Sequence, residues 1–78
     1  MTDIGEAKEI LAKAMFLPPE RFDDKTNFRQ MPELDSLSFE ALVLEIETRV
    51  GRDFDLTKLI DVRTVSDLRD LMRELRRI

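Results

Sequence analysis

Seventy-eight residues without a histidine or a cysteine exclude a Ser-His-Asp triad, a disulfide framework and a zinc site of nitrogen or sulfur ligands. A 42% hydrophobic and 38% charged composition with a net charge of −4 describes one folded domain over residues 1–78, not a disordered chain. So small a domain has no room for a deep pocket of raised carboxylate pKa values, which argues against autonomous catalysis.

In chain order, Thr2 is placed to cap a first helix over residues 3–16, with Asp3 and Glu6 favourably set in its early turns. Ile4, Ala7, Ile10, Leu11, Ala14 and Met15 keep helical spacing, and Lys8, Glu9 and Lys13 face away. Pro18 and Pro19 end the pattern, because the residue before a proline avoids helical angles. Residues 17–35 form a connection longer than the about 12–15 residues beyond which loops are uncommon, so it must be pinned or functional. Phe22 and Phe28 are the expected pins.

A second helix spans residues 36–50. Phe39, Leu42, Val43, Ile46 and Val50 draw one apolar stripe, and Leu37, Ala41 and Leu44 a second, which predicts contact with more than one neighbour. Gly51 stops the helix. Phe54 and Leu56 are expected to return to the core, and Thr57 to Asp61 to form a short helix with Leu59 and Ile60 inward. Thr64 then caps a last helix, with Asp67 completing a capping box and Val65, Leu68, Leu71, Met72 and Leu75 as its inner stripe. Nothing alternates with the period of a strand. The fold class is all-α, a small four-helix bundle of three long helices and one short.

Asp35 stands where an N-cap stands, and its carboxylate can accept from the amide of Leu37 or Ser38. Ser36 therefore falls on the first helical turn, exposed beside the positive end of the dipole, a position suited to carrying a phosphate. The surroundings are acidic: residues 33–61 hold eight acids and three bases, against three acids and five bases in residues 63–78. Such a field repels nucleic acid and suits a partner with a basic face. The stretch from Met1 to Glu6 has neither the basic region nor the apolar core of a secretory signal. The longest apolar runs, Ala14 to Leu17 and Ala41 to Leu44, are too short to span a bilayer, so a cytoplasmic protein without membrane insertion is expected.

With Leu34-Asp35-Ser36-Leu37 opening an acidic amphipathic helix, the whole chain resembles an acyl carrier protein of the phosphopantetheine-dependent family. The resemblance extends to Thr26-Asn27-Phe28 ahead of the serine, to the turn from Gly51 to Leu56, and to Thr64-Val65-Ser66-Asp67-Leu68. It implies a carrier without catalysis of its own. Ser36 would receive 4′-phosphopantetheine from a phosphopantetheinyl transferase. Asp35 would approach that enzyme's magnesium, and Leu37 would fill an apolar pocket on it. Glu40 and Glu47 would meet basic docking faces on acyl-loading and acyl-processing enzymes, with the chain acting as a monomer in fatty-acid, specialised lipid or polyketide synthesis.

Val43, Ile46, Leu59, Val62 and Leu68 would line a sleeve for the acyl chain, unless they are ordinary core. Departures from the family pattern are Glu33 after Pro32, where glycine is frequent, and Ser38 and Ala41, where fatty-acid carriers keep acids. The last helix carries Arg69, Arg73, Arg76 and Arg77, read as cations complementing a helix C-terminus or as a second docking surface. An aminoacyl or peptidyl carrier, and a helical interaction module that is never modified, remain open.

Overall fold

A computed structural model describes residues 4–77. Three α-helices carry the fold: α1 (Ile4–Met15), α2 (Ser36–Val50) and α3 (Val65–Arg76). Between them lie 3-10 turns at Pro19–Arg21, Phe28–Gln30 and Leu56–Leu59. The cap expected of Thr2 and the early-turn place expected of Asp3 fall outside the described residues.

The short fourth helix is present only as a four-residue 3-10 turn at Leu56–Leu59, capped by the Asp55 carboxylate on the Thr57 amide. So short a turn offers one inward direction, and Leu59 takes it, 1% exposed. Ile60, the next residue, and Leu56, at the outer end, are exposed, contrary to the inward placement expected of them. The second apolar row of α2 is corrected in part. Leu37 and Leu44 are 74% and 63% exposed, while Ala41 packs against the core beside the fully buried Leu42 and Ile46, and α2 meets more than one neighbour as expected, α1 and α3.

α1 packs against both α2 and α3, placing Ala7, Ile10, Leu11 and Ala14 in the common core with Leu42, Ile46, Leu68 and Met72. The long connection forms the remaining wall. Phe22 and Phe28 are buried in that core, as their size requires. The connection's backbone is also tied to the start of α3: the Phe28 amide donates to the Arg63 carbonyl at 3.0 Å, the Val65 amide to Thr26 at 3.2 Å and the Ser66 amide to Asp24 at 3.1 Å. The capping box of α3 forms as its sequence predicts, with Thr64 and Asp67 exchanging side-chain-to-amide bonds of 3.2 Å.

The far end of the bundle is closed by charge. Glu6 accepts from the Arg76 guanidinium at 2.6 and 3.0 Å and lies 3.4 Å from Arg49, so one carboxylate joins the start of α1 to the ends of α2 and α3. The two C-termini also exchange donors. Arg76 donates to the Arg49 carbonyl at 3.3 Å, and Arg52 donates to the Leu75 carbonyl. Cations complement these helix ends both from within, with Arg49 in the last turn of α2 and Arg73 and Arg76 in that of α3, and across the interface.

α1 itself ends by an unusual cap. The Leu17 amide returns to the Ala12 carbonyl at 3.0 Å, which requires a left-handed residue between them, and that residue is Phe16, with φ 58° and 89% exposure. Glycine is the usual occupant.

Two outcomes follow for stability. Phe16→Gly should raise it by about 0.5–1 kcal/mol, the left-handed cost of an L-residue less the extra freedom of unfolded glycine, read as a higher midpoint in urea. Glu6→Gln should lower it by about 1–2 kcal/mol. The Arg76 hydrogen bonds hold the Glu6 carboxyl below its ordinary 4.5, so the folded state is the stronger acid there. Its contribution is complete above the unfolded value and disappears as pH falls through the lower folded one. Wild type and Glu6→Gln should therefore converge in stability on acidification.

Candidate functional site

The site is built at the start of α2, where Asp35 has extended backbone angles and its carboxylate accepts from the Ser38 amide at 2.8 Å. That hydrogen bond holds the Asp35 carboxyl below its ordinary range. Ser38 turns inward, buried, and donates its hydroxyl to the Glu33 carbonyl at 3.2 Å. The approach is held from the other side as well. The Leu34 amide closes a turn on Met31 at 3.1 Å, and the Glu33 carboxylate meets Arg21 at 3.3 Å. Glu33 after Pro32 is thus accommodated as a braced turn.

With both neighbours of the cap fixed, Ser36 is the first residue of α2 and is exposed. Its hydroxyl lies at the end of the helix where amides outnumber acceptors and the dipole is positive. A serine there can accept an anionic substituent without unwinding anything, since Asp35, not Ser36, makes the cap.

The outward face of α2 carries Ser36, Leu37, Glu40 and Leu44, all exposed. Its edge opens into an apolar groove of about 290 Å³ lined by Phe39, Glu40, Val43, Leu44 and Leu56. Phe39, Glu40 and Val43 follow Ser36 at three, four and seven residues, on its side of the helix. The exposed leucines were legible as a stripe; what could not be read is that no described residue covers Leu37 or Leu44.

The acidic residues fall into two groups. Glu40 is exposed at the groove. Glu47 accepts from the Phe54 amide at 3.4 Å and is half-buried, while Glu45 pairs with Arg49 at 3.1 Å and Lys13 at 3.9 Å, turned toward α1. Of the five sleeve residues, Val43 sits on the groove, whereas Ile46, Leu59, Val62 and Leu68 are packed in the core, each at most 6% exposed. Among the described residues no group of acids is arranged to hold a metal ion, and no helix is long and apolar enough to cross a membrane.

One residue of the neighbourhood was missed in the sequence. Arg29, from the long connection, donates to the Val62 carbonyl at 3.0 Å and to the Leu59 carbonyl, with its guanidinium 5.5 Å over the Phe39 ring. Partners of this kind leave no mark in the sequence, since any residue supplies a carbonyl.

Comparison with known proteins adds one match. A family model described as a phosphopantetheine attachment site matches residues 6–72. No curated protein matches the chain significantly.

The cap predicts a titration. The Ser38 amide resonance should follow pH with a midpoint below the ordinary aspartate value, as the depressed Asp35 carboxyl requires, and the cap should be lost only as pH falls through that midpoint. A midpoint at the unperturbed value would mean that the carboxylate does not hold the helix start.

Proposed function

The chain belongs to the phosphopantetheine attachment site family, and on that premise we propose that it is an acyl carrier domain whose 4′-phosphopantetheine is joined to the Ser36 hydroxyl by a phosphodiester. Carrier domains of this family are modified by phosphopantetheinyl transferases and work with partner enzymes. When bound, the group supplies a thiol that holds an acyl chain as a thioester. The polypeptide contributes position and recognition.

The exposure of Ser36 on the first turn of a helix already capped by its neighbour carries this reading. The residues fit the group. A phosphodiester is favoured at the positive helix end, and the Asp35 bond to Ser38 keeps α2 in place whether or not Ser36 is substituted. Rooting a flexible arm on a rigid helix end presents the cargo to several active sites at high effective concentration.

Recognition is assigned to the outward face of α2. Asp35 and Leu37 flank the hydroxyl, Leu37 as an apolar anchor for an enzyme pocket, and Glu40 gives the charge that meets a basic docking face. Glu47 is the weaker contributor, because it is spent in part on the Phe54 amide. An apolar groove beginning one turn from Ser36 favours a fatty or polyketide chain over an aminoacyl cargo. The work of this domain is to hold and present its cargo, acting as a monomer.

Incubation with coenzyme A and a broad-specificity transferase should add the mass of one phosphopantetheine to the wild type and none to Ser36→Ala; an unmodified wild type would favour an interaction module instead. Leu37→Ala should lower kcat/KM of that transfer by about tenfold, the effect of losing one well-packed anchor, with little change in the unfolding midpoint because the side chain is exposed. An unchanged kcat/KM would remove Leu37 from the docking surface.

A further inference from the structure

The seam between α2 and the Leu56–Leu59 turn is where the outer groove ends and the core begins. Phe39, Val43 and Leu56 line the groove, while Leu59, in the same turn as Leu56, is 1% exposed and packs with Ile46 and Leu68. A chain passing from the Ser36 side into the core must move that turn away from α2. Two backbone carbonyls, those of Leu59 in the turn and Val62 just after it, are both held by Arg29.

Arg29 is well rooted for this. Its own amide donates to the Asn27 side chain at 3.0 Å, and it follows Phe28, which is fully buried. Its guanidinium reaches the turn on one side and lies over the Phe39 ring of α2 on the other, 5.5 Å from the centroid. A planar fork can serve two carbonyls and stack on a ring together; a lysine ammonium cannot. The side chain therefore ties three segments at one point: the long connection, α2 and the turn. Arg29 is exposed, as are Glu40, the acid lining that groove, and Asp61, in the segment Arg29 holds; its guanidinium bonds the two carbonyls and neither carboxylate.

We propose that Arg29 is a latch on the seam between α2 and the Leu56–Leu59 turn, holding the core closed so that the acyl group carried by this protein stays outside it. The latch is a positioning device, and its effect on cargo rests on the carrier reading above. In this chain Ile46, Leu59 and Leu68 are core while the latch is made, and become a sleeve only when it opens.

The test compares wild type with Arg29→Ala, Arg29→Gln and Arg29→Lys, the last two standing in if the alanine variant does not fold. In the unloaded chain, hydrogen exchange at the Ile60 and Val62 amides should accelerate by about tenfold in the alanine and glutamine variants, and by less in the lysine variant. The Ile10 and Leu11 amides of α1 should stay within about twofold of wild type, since opening is local. Unchanged exchange, or an equal rise in α1, would overturn the latch.

In chains loaded from octanoyl-coenzyme A, the methyl resonances of Ile46, Leu59 and Leu68 should match those of the bare-arm form in wild type and shift in the alanine and glutamine variants. Equal shifts in wild type, or none in the variants, would overturn the gating of cargo. Failure of Ser36 to load counts against the carrier reading alone, because the exchange measurement decides the latch without any arm.

Discussion

The hydrogen bond from the Ser38 amide to the Asp35 carboxylate decides where α2 begins, and with it what the molecule shows to solvent. Shifting the start by one residue would rotate every side chain on that helix by about 100°, taking Ser36 off the exposed first turn and moving Leu42 and Ile46 out of the core. The cap is made by the residue beside the serine, so the hydroxyl has no structural duty. A side chain with no structural duty at a positive helix end is available for modification.

Three helices alone do not enclose a core in so short a chain, and the connection between α1 and α2 makes up the difference. It brings two buried phenylalanines, a ladder of backbone bonds to the start of α3 and Arg29, which reaches across to the third 3-10 turn. At the opposite end Glu6 draws the termini of all three helices together through Arg49 and Arg76. The frame is thus fixed at both ends. The turn at Leu56–Leu59 is attached through buried Leu59, through Arg29 and through the exposed Lys58–Glu74 pair at 3.2 Å.

Much of this was legible in the chain. Helical spacing gave α1, the pair Asp35 and Gly51 bounded α2, and Thr64 with Asp67 opened α3, because caps and periodicity are local and written in side-chain identity. Phe22 and Phe28 could be read as pins from size alone. Leu44, Leu56 and Ile60 were misread as inward because an apolar side chain does not say whether a neighbour exists to cover it. The contacts of Arg29 span 30 and 33 residues and end on carbonyls, and that of Arg76 with Glu6 spans 70; no local pattern encodes such pairings. The family match over residues 6–72 agrees with the resemblance carried by the Asp-Ser-Leu motif.

The central claim is that one particular hydroxyl is the tether. Three serines are present, Ser36, Ser38 and Ser66, and only Ser36 combines exposure with the first turn of α2. Peptide mapping by tandem mass spectrometry of the chain isolated from its producing cell locates any phosphopantetheine directly. The account predicts it on the Ser36 peptide, fragmenting to that residue. Phosphopantetheine on Ser38 or Ser66, or a bare Ser36 in a cell with an active transferase, would contradict it.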